Sequence, residues 1–506
     1  MFSSLRQLRR GKCLVIAVAM ALTGCMPPAA IQFDGPYAAA PAHPAVYWHG
    51  REATSGAQQI GIPSRTPEEN PVDTTLTYDL PALVDLALHA NPETRASWEE
   101  AKAAAAKLER NRSAWYPTLT AMAFGQYFNT SFPIPGGALV SDGHAAFGSL
   151  ELAWTLFDFG RREALVDAGA QRLMAANFSF NRKHQEIAYR VASSFFAYQA
   201  MLSKVTAAQR TLESANAGTA SVQAKFGQGL ATRPSLLLAV QERAKASYDL
   251  QDARGSVIQA RAELAANLGI SPSYSLQLID LDKLPLPAGL VQSAEKIVDQ
   301  ALEQRPDLMA RLAELRAREA EVKKARAEFW PKFSLGGNIG NQYWGNVHTT
   351  PPGNESYSAS NLVGTAMLTM EWVLFDGFER SNAVHEAEAR KKASGAELET
   401  LRLDIMREIW KAYADTKTAL EKREFALALL KAAEESYAAT QESYAHGFST
   451  VIELLSAHKD LARARYTEID SRATLLRSAA ALVYASGGLG RGSLNTDSEA
   501  FGSGLP

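Results

Sequence analysis

Residues 153–162 read AWTLFDFGRR and residues 371–380 read EWVLFDGFER. The shared core Trp-x-Leu-Phe-Asp starts at Trp154 and again at Trp372, 218 residues later. Each copy ends a run that alternates apolar and polar residues. Each opens a long stretch without proline, from Gly160 to Lys225 and from Phe378 to Tyr444. Alternation marks a strand and a long proline-free stretch marks a helix, so each word reads as a strand-to-helix junction. Writing one junction twice points to an internal duplication.

The repeat extends outward from these words. Residues 83–117 align without gaps on 297–331 at an offset of 214, with 11 of 35 positions identical. After the shared word the offset is 218: Gly229 matches Gly447, Tyr248 matches Tyr466, and Gly269 matches Gly487. The four extra residues fall between Pro331 and Trp372. Insertions are tolerated at exposed loop tips, so a tip is expected there.

Each repeat reads as a short helix ending at a proline, a second helix, two strands, a long helix, a glycine turn and a last helix. The first repeat spans 81–270, with a hairpin at 117–157, a long helix at 160–225 and a last helix at 230–268. The second spans 297–490, with corresponding elements at 331–375, 378–444 and 448–486. In 360–375, Leu362, Ala366, Leu368, Met370, Trp372 and Leu374 share one face and Thr365, Thr369 and Glu371 the other. Such segments suit either a half-buried soluble sheet or the ~9–11 residues that cross a bilayer obliquely. The segment TLTAMAFGQYF (118–128) alternates poorly. NTSFPIPGGALVSDGH and GNVHTTPPGNESYSAS read as polar outer loops, with aromatic residues clustered at the opposite end of each hairpin. Asp158 and Asp376 are expected to N-cap the long helices.

A helix of 66 residues is a rod of ~100 Å, too long for a compact domain. Its apolar positions Ile187, Val191, Phe195, Tyr198, Leu202 and Val205 step by fours and threes, as in a coiled-coil seam. The two shorter helices of each repeat, placed end to end, nearly equal the rod and are expected to stack beside it.

The first 24 residues read as a secretory signal. Arg6, Arg9, Arg10 and Lys12 precede the ten-residue apolar run CLVIAVAMAL, too short to span a bilayer. Leu22-Thr23-Gly24-Cys25 looks like a bacterial lipobox, which implies cleavage before Cys25 and lipid on its thiol. Met26 rather than Asp follows, which in lipoproteins implies the outer membrane. Cleavage removes four basic residues and no acidic ones, moving the formal charge from −2 to −6, so no basic excess suggests nucleic acid. After Cys25 no apolar run approaches the ~20 residues of a membrane helix, so any crossing must use a closed barrel of strands.

The duplicated Trp-x-Leu-Phe-Asp junction, the Tyr-x-x-Gly-Phe-Ser turn at 444–449, the Asn-Pro and Arg-Pro helix starts and the lipobox together resemble the TolC family. The resemblance covers about 80–490. It is nearest to the lipidated NodT-like outer-membrane factors of tripartite efflux systems. It implies a mixed α/β membrane protein, duplicated internally. Three chains with four strands each would close a 12-stranded β-barrel, continued by a long periplasmic α-helical barrel. Segment 25–80, the connector 271–296 and the tail 491–506 would ring the tunnel. The implied role is a passive exit duct for small molecules, fed by a periplasmic adaptor and an inner-membrane pump of the RND type. Protein secretion or metal efflux are alternatives within that class, and a coiled-coil surface lipoprotein is one outside it. The resemblance implies no catalysis and no cofactor, and no histidine spacing suggests a metal site.

Four sets of residues are singled out. Cys25 is the lipidation site. Trp154, Phe157, Asp158, Trp372, Phe375 and Asp376 form the barrel-to-helix junction. Gly229, Leu230, Gly447 and Phe448 sit at helix-hairpin tips far from the membrane and suit an adaptor contact. The family closes its tunnel with inward acidic residues after the second tip. One such position falls on Glu453, and the other on Ser456, where this chain departs from the family pattern.

Overall fold

The computed structural model describes residues 37, 40–48, 76–274, 276–279, 286, 293–350 and 357–488. Cys25, the signal segment, most of 25–80, half of 271–296 and the tail 491–506 lie outside the described residues. The elements in chain order are β1 (Thr77–Tyr78), α1 (Leu80–Ala90), α2 (Pro92–Arg112), β2 (Thr118–Ile134), β3 (Gly137–Phe157), α3 (Arg161–Gly227), α4 (Arg233–Leu268), β4 (Gln277–Leu278), α5 (Ala294–Gln304), α6 (Pro306–Ala327), β5 (Lys332–Thr350), β6 (Tyr357–Glu371), α7 (Glu379–Ala445) and α8 (Val451–Ala485).

The duplication is visible in the packing. Leu83, Val84 and Ala87 of α1 meet Ile187 and Val191 of α3 and Leu264 of α4 in one core. The counterparts Ile297, Val298, Ala301, Ile405, Ile409 and Leu482 form another. Short helices α2 and α6 start at Pro92 and Pro306, where proline's missing N–H costs nothing. The residue before each proline reaches across to the end of its repeat's last helix. Asn91 Nδ2 donates to Asn267 O at 2.9 Å, and Arg305 Nη1 donates to Ala485 O at 2.9 Å. Both last helices then stop at a left-handed glycine, Gly269 (φ +75°) or Gly487 (φ +81°). A Cβ on Gly269 would lie 2.6 Å from Asn91 Cα, so glycine is needed for close approach as well as for the turn.

α3 is the central rod, at 67 residues about 100 Å long. It packs on α2 and α4 of its own repeat and on α6 and α8 of the other. Ile187, Val191 and Phe195 are fully buried at mid-height, while Leu202 lower down is exposed.

Strands β2, β3, β5 and β6 form one antiparallel sheet in that order. The segments expected as outer loops are mostly strand. Ile134 pairs with Gly137 across the two-residue turn Pro135-Gly136, and β5 continues to Thr350. Proline misled the sequence reading: Pro133 sits in β2, an edge strand, where its missing N–H breaks no ladder bond within the sheet. A second difference lies at the repeated word. β3 runs on to Phe157, but β6 stops at Glu371, before Trp372. The end of β3 is held by β5 (Phe157 pairs with Phe333), whereas β6 is an edge with no further strand beside it among the described residues.

Candidate functional site

The cross-strand register fixes what each face of the sheet carries. One face has the row Trp154, Leu335, Leu368 and the rows above it, with Leu152, Ala366, Leu150 and Ile339. The other has Thr120, Glu151, Asn338 and Thr365 in a single row, with Thr365 Oγ1 donating to Asn338 Oδ1 at 2.9 Å. In its half nearest the helices the sheet is therefore apolar on one side and largely hydrogen-bonding on the other. Tyr127 and Tyr343 end the apolar face on the outer side, and Trp154 and Phe157 end it at the junction, with the exposed Trp372 and Phe375 following β6 at the corresponding place in the second repeat. Aromatic belts at two levels of an apolar band are what the two interfaces of a membrane select.

At the junction, Asp158 does not occupy the N-cap position. The caps are Gly160 and Phe378, because two successive left-handed residues, Phe159-Gly160 and Gly377-Phe378, turn the chain before each helix. Asp158 instead reaches past the turn. Its Oδ2 accepts from Arg162 N at 3.1 Å and from Arg162 Nε at 3.0 Å. The guanidinium of Arg162 goes on to donate to Thr155 O at 2.5 Å and Leu156 O at 3.0 Å, and lies over the Trp115 ring. The second copy repeats the device. Asp376 Oδ2 accepts from Arg380 N at 3.2 Å and pairs with its guanidinium, which lies over Phe329. The hydrogen bond from Arg380 holds the Asp376 carboxyl below its usual range. Trp154 Nε1 donates to Trp115 O at 3.0 Å and Trp372 Nε1 to Phe329 O at 3.2 Å. Strand end, preceding turn and helix start are thus tied at one node. The nodes border an open cleft of about 980 Å³ that also includes Arg161, Lys324 and Glu328.

The tips end as glycine-terminated helices. Leu230 N donates to Lys225 O and Gly229 N to Phe226 O, and Phe448 and Gly447 repeat both bonds. Leu230 is 72 % exposed and Phe448 87 %, so neither folds back onto its helix. Lys225 joins the two tips: its Nζ donates to Tyr444 O at 3.0 Å and sits 3.9 Å from the ring centroid. One turn beyond, Glu453 closes a capping box on α8. Its Oε2 accepts from Thr450 N at 2.8 Å, and its N–H donates to Thr450 Oγ1 at 3.3 Å. Glu453 and Ser456 are both exposed. In the first repeat Thr232 makes the same cap to Ser235, so only the second tip carries a charge there.

Three features lay beyond the sequence reading. Arg162 and Arg380 stand inside the quoted words, but their role depends on carbonyls brought in from other elements. The strap 40–48 docks on the rod: Trp48 exchanges two hydrogen bonds with the Asn181 side chain, and the buried His184 Nε2 meets Pro44 O at 2.6 Å. Burial pulls the His184 pKa down to about 4, only partly offset by that bond. Arg305, 2 % exposed, pairs with Asp307 and Glu408 while capping α8. The capping box, by contrast, is written locally as Thr-x-x-Glu at 450–453.

Among the described residues no helix is long and apolar enough to cross a membrane, which says nothing against a barrel. The family model for outer membrane efflux protein matches residues 83–270 and 297–488, one stretch per repeat. Protein CyaE of Bordetella pertussis is 27 % identical, covering 82 % of this chain and 85 % of its own length. Outer membrane protein OprJ of Pseudomonas aeruginosa is 26 % identical, with 75 % and 78 % covered. In fold the chain is similar to the outer membrane protein VceC of Vibrio cholerae (TM-score 0.68, 19 % identity, 81 % of this chain and 96 % of that one). The two matched repeats, joined by a sheet apolar on one face and polar on the other, make this chain a member of the outer membrane efflux protein family.

Proposed function

We propose that three copies of this chain close a twelve-stranded barrel and a continuous helical tunnel, and that this trimer is the passive exit duct of a tripartite efflux system. The observation that carries the reading is an unfulfilled repeat. The face of α3 that carries Gln185, Ala192 and Ala207 is buried. At the same offset α7 carries Leu403, Trp410 and Phe425, which are 64 %, 50 % and 69 % exposed. What α3 finds in the second repeat of its own chain, α7 would find in the first repeat of another. The sheet supports the same reading, since among the described residues β2 and β6 are both free edges and four strands cannot close alone.

In this arrangement the apolar sheet face meets lipid and the polar face lines the pore. The junction nodes pass each strand pair into the helical wall, with Cys25 lipidated to hold the chain start at the membrane. The exposed Leu230 and Phe448, beside Gly229 and Gly447, are offered to a periplasmic adaptor. Glu453, with Ser456 a turn later, faces the axis at the far end. Native mass of the detergent-extracted protein tests the core of the proposal. A trimer that conducts in planar bilayers supports it, and a stable monomer overturns it.

A further inference from the structure

The polar face of the sheet does not stay polar. Above the Thr120 row it passes Met122 and Ser149 and then reaches Phe124 opposite Phe147, followed by Trp344 and Phe128. These rings touch one another. Phe124 and Phe147 stack with centroids 4.6 Å apart and planes 16° apart, and Trp344 meets Phe147 at 6.0 Å and Phe128 at 5.3 Å, both edge-on. They shield what lies beneath. Ala145 and Val347 are each 2 % exposed in a part of the sheet that no other described element covers. A Cβ on Gly143 would sit 3.1 Å from Phe128 Cζ, so glycine makes room for that ring.

The position matters. Phe124 stands six residues above Thr118 on β2, about 20 Å along the strand, and Phe128 about 33 Å. The cluster lies at the outer part of the sheet, away from the helical tips. A face that presents Thr, Glu and Asn to water has no solvation reason to add four aromatic side chains there.

We propose that Phe124, Phe128, Phe147 and Trp344 form an aromatic collar inside the barrel that slows entry of bulky hydrophilic molecules from outside while leaving a path for apolar cargo. The inference rests on the barrel reading above. Twelve strands give a backbone ring roughly 24 Å across, and rings standing inward from three chains narrow it to roughly 12 Å. A hydrophobic stretch of that kind resists hydrated solutes by dewetting and size together, and rewards solutes that stack on it.

Labelling from outside intact cells tests this without involving the periplasmic end. Cys25 is the sole cysteine after the signal, so single cysteines can be placed at will. Thr120→Cys lies on the polar face below the collar, Ser141→Cys on the same face above it, and Ala121→Cys on the opposite face. The probe is a maleimide carrying a polyethylene glycol chain. Phe124→Ala with Phe147→Ala and Trp344→Ala is expected to speed labelling at Thr120→Cys about tenfold and to leave Ser141→Cys unchanged. Phe124→Ala alone, at a half-exposed ring, guards against loss of folding and is expected to give a smaller rise in the same direction. Equal rates at Thr120→Cys with and without the rings, in protein of unchanged native mass, overturn the collar. Rapid labelling at Ala121→Cys instead means that the apolar face is not in lipid, and the barrel reading fails first.

Discussion

Replacing Glu453 separates the cap it makes on α8 from the pore charge proposed for it. Its Oε2 accepts from Thr450 N, and its charge would face the axis with two symmetry copies. Glu453→Ala removes both. The orphaned Thr450 N–H at the start of α8 costs about 1 kcal/mol, roughly a fivefold increase in fraying of the first turn. Glu453→Gln keeps an acceptor oxygen in the box and loses only the charge, costing about 0.5 kcal/mol through the helix dipole. A cation on the axis about 5 Å from three carboxylates gains about 2.5 kcal/mol in water before screening. Glu453→Gln is therefore expected to lower the cation-to-anion permeability ratio several-fold. The measurement is the reversal potential of single channels under a salt gradient, with Glu453→Ala adding noisier opening on top. A Glu453→Gln channel with the parent's reversal potential would refute the charge argument. A change confined to Glu453→Ala would assign Glu453 to the cap alone.

Three further outcomes follow from the packing. Arg305→Ala strips two carboxylates and the Ala485 carbonyl of a buried partner, and is expected to cost about 3–5 kcal/mol. Asn91→Ala, its neutral counterpart, is expected to cost about 1–2 kcal/mol; thermal unfolding in detergent that ranks the two the other way would undo the comparison. His184 titrates near 6.5 when free and at about 4 when buried. The folded value is the lower one, so its stabilisation is full above pH 6.5 and drains as pH falls toward 4. Undocking of strap 40–48 should thus become about 2 kcal/mol easier at pH 5, seen as faster hydrogen exchange at Trp48, and His184→Gln should remove that pH dependence. Trp410→Glu puts a charge in the face that α7 leaves bare, and is expected to weaken the trimer by about 2–4 kcal/mol while leaving the chain folded; an unchanged native mass at high dilution counts against the interface.

The sequence was most legible where one residue's physics sufficed. Alternation between Leu362 and Trp372 gave the two faces of β6, and glycines at 269, 447 and 487 gave helix ends, because period and positive φ are local properties. It misled where a local rule had a tertiary exception. Pro133 and Pro135 suggested a loop, yet an edge strand and a two-residue turn accommodate both. Asp158 looked like an N-cap because an acid before a helix usually is one, but the left-handed pair that follows moves the helix start past it. The partners of Arg162, Asn181 and Arg305 were beyond reach. Each binds groups set by chain reversal, and for Asn181 the partner lies 133 residues away.

The two repeats differ where their surroundings differ, and those differences are what the proposed assembly rests on. The core positions of α1, α3 and α4 recur in α5, α7 and α8 as like for like, since each copy must bury the same short helix. On the flanks the match is broken in one direction. Gln185, Ala192 and Ala207 of α3 are small or hydrogen-bonded, as suits a face packed against its own chain; Gln185 Nε2 donates to Gly487 O at 2.9 Å. Their counterparts Leu403, Trp410 and Phe425 are large, apolar and exposed, as would suit a face that recruits a separate molecule and offsets its loss of translational freedom. An ordinary surface helix would place charges there. In the proposed trimer the second repeat is thus the first repeat rewritten to meet another copy of the chain.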